Sequence, residues 1–195
     1  MLTIGITGGS GAGKTSALRA LESLGALAID ADAVYHELLA TNDEMKAEIE
    51  ARFEGVLRDG AIDRKRLGEI VFADSAALLD LNAITHRHIG KAMAEKTADW
   101  ESKGGKITAI DAIALIESGR AEKCDVVVGI TAPRETRIQR IMKRDGITRE
   151  QAEMRINAQK PDSFFEENCD YILEAIYTLP GEFEQKCKEF FEKII

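Results

Sequence analysis

No stretch of this chain approaches the roughly 20 consecutive apolar residues that a membrane helix needs. The apolar start, Met1 to Thr7, runs straight into glycines and lacks the charged leader and apolar length of a signal peptide. These absences predict a cytoplasmic protein with no membrane partner. Cysteine is confined to Cys124, Cys169 and Cys187. They are odd in number, far apart and free of any CxxC or Cys/His grouping, which argues against a disulfide framework and a zinc site and predicts separate free thiols. The basic excess of a general nucleic-acid binder is also missing. Asp and Glu number 34 against 26 Lys and Arg, for a net charge of −8, so no nucleic-acid partner is expected. A local basic site for a polyanionic small molecule remains compatible with that charge. Internal repeats and low-complexity segments are absent as well.

What is present is an ordinary globular composition, 45% hydrophobic and 31% charged, in 195 residues. That length suits one compact α/β domain with inserted subdomains. Leu2 to Thr7 reads as a buried strand ending at Gly8, followed by a helix carrying Ala17, Leu18, Leu21 and Leu24 and stopped by Gly25. Ala26 to Ile29 is a second strand, running into Asp30-Ala31-Asp32. From Ala31 to Ile89 apolar residues recur at helical spacing, with loop signals at Asn42-Asp43 and Asp59-Gly60 and no clear strand. This predicts a helical insertion, whose last helix runs from about Ser75 to Trp100. Strands are expected at Lys106–Asp111, Asp125–Thr131 and, weakly, Tyr171–Leu173. Helices are expected at Arg134–Lys143, from about Arg149 behind a Thr148/Gln151 capping box, and after Pro180-Gly181. Alternating strands and helices predict a P-loop-type α/β fold: a parallel five-stranded sheet with helices on both faces.

The chemistry starts at Gly8, Gly9, Ser10, Gly11, Ala12, Gly13, Lys14 and Thr15, a complete Gly-x-x-x-x-Gly-Lys-Thr pattern. Glycines let the backbone turn N–H groups inward around phosphates, and the following helix points its positive end at the same anion. Lys14 reaches the β- and γ-phosphates of ATP, and Thr15 offers a hydroxyl to Mg²⁺. The preceding strand and following helix supply the context that the pattern needs. The D-x-x-G and N-K-x-D of a GTPase are missing. Asp111 ends an apolar strand, but Ala112 follows where an ATPase motor has Glu. Two readings of Asp111 stay open, a Mg²⁺ contact through water or a strand-end cap.

Asp30 and Asp32 end the second strand, where ligands bind in open α/β sheets. Phosphorylating an alcohol needs a group that orients the hydroxyl and accepts its proton. Either Asp can do this, and either can cap the following helix. The favoured division has Asp30 capping and Asp32 serving as catalytic base. Arg134, Arg137, Arg140, Arg144, Arg149 and Arg155 cluster in an acidic chain. Arg140 and Arg144, four apart, share a helix face suited to stacking on a base and forked contact with phosphate. With the Lys143-Arg144-Asp145-Gly146 turn they suggest a mobile lid over residues 140–160. Arg134, Arg137 and Arg149 read as a solvated charged face.

Gly-Ile-Thr-Gly-Gly-Ser-Gly-Ala-Gly-Lys-Thr, Leu24-Gly25 and Ile29-Asp30-Ala31-Asp32 together resemble the dephospho-CoA kinase family. So do Asp59-Gly60 with Asp63-Arg64, Leu81-Asn82 through His86, Leu115-Ile116-Glu117, Arg140 with Arg144-Asp145, and Arg155 to Gln159, in family order. The resemblance implies ATP-dependent phosphorylation of the ribose 3′-hydroxyl of dephospho-CoA. It implies a nucleotide core over 1–32, 96–139 and 161–195, a helical CoA-binding domain over 33–95 and a lid over 140–160. It further implies Asp32 as base, Lys14 and Arg140 in catalysis, and an acceptor region holding Asp32, His86, Asp111 and Glu117. The chain departs from the family at Arg87, where Pro is usual, at Ile113-Ala114 in a Pro-Leu-Leu-Phe-Glu segment, and at Glu174-Ala175, where Asn is usual. A uridine-kinase-like enzyme and a nucleotide-binding regulator without turnover are the competing readings. A monomer or small homo-oligomer is expected.

Overall fold

The computed structural model describes residues 1–177, 179 and 181–195; Pro180 of the expected Pro180-Gly181 break lies outside them. In chain order the elements are β1 (Leu2–Thr7), α1 (Lys14–Ser23), β2 (Ala26–Asp30), α2 (Ala31–Thr41), α3 (Asp43–Arg52), β3 (Leu57–Arg58), β4 (Ala61–Ile62), α4 (Arg64–Ala73), α5 (Ser75–Ser102), β5 (Ile107–Asp111), β6 (Val126–Thr131), α6 (Arg134–Asp145), α7 (Arg149–Asn157), α8 (Asp162–Asn168), β7 (Tyr171–Glu174) and α9 (Glu182–Phe191). They form two compact units, residues 1–29 with 100–195, and residues 30–99.

The first unit is built on a five-stranded sheet in the order β2-β5-β1-β6-β7. β1 pairs in parallel with β5 and β6, and β6 in parallel with β7. Alternation explains how both faces are covered. Ile4 and Ile6 of β1 and Val128 and Ile130 of β6 share a core with Ala17 and Leu21 of α1 and Phe183, Cys187 and Phe191 of α9. The residues between them point the other way. A Cβ on Gly5 would lie 2.6 Å from Leu115 Cδ2 and 2.9 Å from Cys124 Sγ, and one on Gly129 would lie 3.4 Å from Phe165 of α8. Burial on both faces produces short apolar runs instead of a polar alternation, the pattern that made these strands readable. The chain fills β2 and β5 on one side of β1, then β6 and β7 on the other. The carboxyl end of β1 therefore lies where ligand crevices form in such sheets.

The second unit contains α2, α3, α4 and most of α5, as helical spacing predicted, but it also contains a β3–β4 hairpin, which the expectation of no strand missed. Asp59 (φ 50) and Gly60 (φ 78) make its two-residue turn, the left-handed pair that Asp-Gly favours. Its strands have two residues each, too short for any periodicity to show. Tertiary bonds hold them: Glu50 accepts from Gly55 N and Leu57 N, and Lys46 Nζ donates to Gly60 O. The seven-residue α8 was likewise not anticipated; Phe165 is its buried residue.

The three thiols lie apart and free. Burial pushes Cys124 and Cys169 up to about 11 and Cys187 up to about 12. In the unfolded chain a thiol titrates near ~8.5. At pH 8 the native protein should react with a thiol-specific disulfide reagent about 10²-fold more slowly than the same chain in denaturant, because the thiolate is the nucleophile. Equal rates in the two conditions would contradict the burial described here.

Candidate functional site

The phosphate-binding pattern occupies the turn from β1 to α1. Gly8, Gly11 and Gly13 have φ values of 139, 76 and 115, conformations that cost a side chain dearly. Gly13 is the N-cap of α1. Its loop is closed by Ala12 N donating to Gly9 O at 3.1 Å and Ser16 N to Gly13 O at 3.0 Å. Lys14 Nζ donates to Gly8 O at 3.0 Å, so the lysine reaches back along the loop. Thr15 is exposed in the first turn of α1, where helix N–H groups lack intrahelical partners and the helix dipole favours an anion.

The loop's carbonyl oxygens are taken by two arginines of α6. Arg137 Nε donates to Ser10 O at 3.0 Å. Arg140 Nη1 donates to Gly11 O at 3.0 Å and Ala12 O at 3.1 Å, and its Nη2 to Ala175 O at 3.1 Å. The Arg140 guanidinium lies 4.7 Å from the centroid of Tyr177, whose ring stacks on Phe183. Gln159 completes the support: its Oε1 accepts from Ser10 N at 2.9 Å and its Nε2 donates to Ser10 Oγ at 2.8 Å. Arg137 Nη2 donates to Gln159 Oε1 at 2.8 Å, and Nη1 lies 3.3 Å from Asp162 Oδ1.

This corrects the expectation that Arg137 belongs to a solvated face. It is 5% exposed. Spacing from Arg140 by three residues puts both on one side of α6, and carbonyls, Gln159 and Asp162 replace its water. Burial pulls its pKa down from the ordinary value, and Asp162 partly offsets that. Arg134 and Arg149 do lie on the charged face, on Asn157 and on Glu135 and Glu153 respectively. The i, i+3 arginine spacing was the available signal for Arg137. Gln159 stood in the family segment without a signal of its own, since its partner is 149 residues away.

α6 and α7 share a small core of Ile138, Ile141, Ala152 and Ile156, with Met142 and Ile147 against it. Gly146 (φ 65) ends α6, and the Thr148/Gln151 capping box starts α7. Arg144 is not brought to the loop. It binds Asp145 by two hydrogen bonds, of 2.7 and 2.9 Å, and Arg155 binds the same carboxylate. The Arg144 hydrogen bonds lead in holding Asp145 down at about 2.

Asp111 ends β5, half-buried, in register with Ile6 of β1. It therefore lies one strand from the chain entering the loop. Glu117 is exposed between β5 and β6. Ile113, at a family departure, accepts a hydrogen bond from Thr7 Oγ1 through its carbonyl. Ala175, at another, uses its carbonyl for Arg140. In the second unit Asp30 is the N-cap of α2, its Oδ1 accepting from Asp32 N at 2.8 Å and Ala33 N at 3.0 Å. Asp32 is exposed in that helix's first turn. His86 is half-buried on α5, while His88 is buried with Nε2 3.2 Å from Glu48 Oε1. Arg87 binds the same Glu48, a contact the family's usual Pro lacks, and α5 runs unbroken through this position.

Among the described residues no group of three or more His, Cys, Asp or Glu could hold a metal, and no helix is long and apolar enough to cross a membrane. A hydroxyl on Thr15 and a carboxylate on Asp111 nevertheless suit Mg²⁺, which keeps several waters and is bound through one or two carboxylates plus substrate phosphates.

A family model described as dephospho-CoA kinase matches residues 2–178. A dephospho-CoA kinase of Geobacter sulfurreducens is 39% identical over 195 residues, covering 99% of this chain and 98% of that protein. One from Thermobifida fusca is 42% identical over 161 residues, 82% of this chain and 80% of its own. The solved structure of dephospho-CoA kinase from Campylobacter jejuni matches with a TM-score of 0.69 at 27% identity, covering 98% of this chain and 96% of its own.

The loop's glycines carry a stability prediction. A Cβ on Gly8 would lie 2.2 Å from Ile130 O at φ +139, whereas one on Gly25, at φ +84, would meet nothing within 4 Å. Gly8→Ala should cost about 3 kcal/mol or more, and Gly25→Ala about 1 kcal/mol from backbone strain alone. Urea unfolding of both variants measures the difference; equal costs would mean that the approach to Ile130 carries no constraint.

Proposed function

The chain belongs to the dephospho-CoA kinase family, and from that premise we propose that it transfers the γ-phosphoryl group of ATP to the ribose 3′-hydroxyl of dephospho-CoA, yielding CoA and ADP. This is the last step of CoA biosynthesis, in keeping with a cytoplasmic enzyme of free thiols. The observation that carries the reading is the complete cradle: three glycines at positive φ, Lys14 folded along the loop, and arginines on the carbonyls behind it.

In this reading the cradle amides and the amino end of α1 bind the β-phosphate. Lys14 exchanges its carbonyl partner for the phosphates as negative charge builds on the leaving oxygen. The ribose oxygen attacks phosphorus, the bond to the ADP oxygen breaks, and the hydroxyl proton passes to the Asp32 carboxylate. Asp30, committed to capping, holds the helix turn that presents Asp32. Thr15 and Asp111 would hold Mg²⁺, which when bound neutralises phosphate charge. The family resemblance assigns the acceptor to Asp32, His86, Asp111 and Glu117. The face of Arg140 away from Tyr177 offers a stacking surface to adenine.

The lid reading narrows. Arg140 and Gln159, at the two limits of residues 140–160, are both bonded to the loop. Closure over ATP therefore falls to the segment between them. Such closure excludes water that competes with the alcohol.

Three outcomes follow. Lys14→Ala should lower kcat by about 10²-fold or more with its circular dichroism unchanged; near-normal turnover would remove the lysine from the chemistry. Asp32→Asn should lower kcat far more than ATP affinity, and the reverse pattern would make Asp32 a binding residue. A non-hydrolysable ATP analogue should slow amide exchange across residues 143–155, and unchanged exchange at saturation would leave that segment a fixed helix pair. An acceptor panel with dephospho-CoA and uridine tests the substrate itself.

A further inference from the structure

Each peptide unit is planar and trans, so fixing a carbonyl fixes the next residue's N–H in the opposite direction. Arg137 on Ser10 O thus sets the direction of Gly11 N–H, and Arg140 on Ala12 O sets that of Gly13 N–H. Ser10 is held at three points. Its N–H and hydroxyl bind Gln159 and its carbonyl binds Arg137. The Ser10 N–H is therefore committed to Gln159 and turned away from the amides left for phosphate.

We propose that Gln159 and Arg137 are positioning residues for phosphoryl transfer, acting through Ser10 to keep the Gly11 amide aimed at the β-phosphate. The proposal rests on the kinase reading above and extends it to two side chains outside the loop. A second observation supports it independently. Gly9 does not have a left-handed backbone, so its conformation does not require glycine. A Cβ there would instead lie 2.1 Å from Arg137 Nη2 and 2.9 Å from Gln159 Oε1. The second glycine of the pattern is the space the clamp occupies. Arg137 is almost wholly buried, and in such a setting each polar partner counts for more than at the surface. Asp162, at the start of α8, holds the far nitrogen and keeps the guanidinium from rotating off Ser10.

The test uses the full chain and two nucleotides that differ by the phosphate the cradle takes. Gln159→Leu keeps the volume and removes all three hydrogen bonds. ADP affinity measured by calorimetry should fall about tenfold and kcat by a similar factor, the size of one or two lost hydrogen bonds. AMP affinity and the KM for dephospho-CoA should stay within about twofold of wild type. Gln159→Glu keeps acceptor oxygens toward Ser10 N and Arg137 and should restore ADP affinity to within about threefold. A scaffold residue of no consequence to the cradle would lower the melting temperature and leave these ratios alone. Unchanged ADP-to-AMP preference and kcat in folded Gln159→Leu overturn the proposal. If that variant does not fold, Gln159→Asn, polar but too short to span to Ser10, takes its place with the same two outcomes. Failure of dephospho-CoA as acceptor, with the ADP-to-AMP ratio shifting as expected, sinks the acceptor reading and leaves the clamp standing. A wild-type protein that binds ADP no tighter than AMP overturns the cradle and the clamp together.

Discussion

A loop that aims its amides at phosphate must send its carbonyls somewhere else, and the fate of those carbonyls organises this structure. Three in succession, from Ser10, Gly11 and Ala12, end on guanidinium groups of a single helix. A buried carbonyl left without a donor costs roughly 1–3 kcal/mol. Arginine meets the demand because its planar fork serves two acceptors at once, as Arg140 does for Gly11 and Ala12. The position of α6 follows from this need, and so does the burial of Arg137 in a chain whose net charge is −8. Positive charge is thereby stationed behind the loop.

The remaining arginines of the region follow a different rule. Arg144 and Arg155 converge on Asp145, whose depressed pKa keeps it ionised through all ordinary conditions. A depressed carboxylate contributes its tie above the unfolded value and gives it up only as pH falls toward about 2. The tie is solvent-exposed and screened, so an entering polyphosphate can compete for either arginine. Arg137 and Arg140 are fixed by directional bonds to backbone, whereas Arg144 and Arg155 are held by exchangeable charge. That contrast separates the arginines that support the loop from those of the proposed lid.

Much of this was legible in the order of residues, and what was not shares one physical character. The sheet, α1, the long α5 and the Thr148 cap all rest on local signals: apolar runs, helical spacing, glycines and a capping pair. The β3–β4 hairpin escaped because two-residue strands have no period, although Asp59-Gly60 announced the turn. α8 escaped because seven residues with one buried phenylalanine look like loop. The cradle was complete in the sequence, but its clamp was not. Ser10 and Gln159 are 149 residues apart, and no local pattern encodes a contact across that distance. Arg137 was misread for the same reason: helical spacing says which side of α6 it shares with Arg140, not that the side is buried.

Arg140 shows how the departures from the family pattern can be accommodated. Where an asparagine is usual, this chain has Ala175, and the contact made there is to the Ala175 main-chain carbonyl. A backbone acceptor survives any side-chain change, so the loss of the amide does not by itself dislodge Arg140. The same guanidinium spans Gly11 and Ala12 on one side and Tyr177 on the other. It therefore ties the phosphate loop to the segment after β7. Removing it would free two cradle carbonyls as well as a stacking surface. The effect of Arg140→Ala on ATP binding then combines both losses, and only a comparison across nucleotides with the same base and different phosphate counts divides them. A change confined to the stack would weaken ATP, ADP and AMP alike, whereas a slackened cradle weakens ATP and ADP and spares AMP.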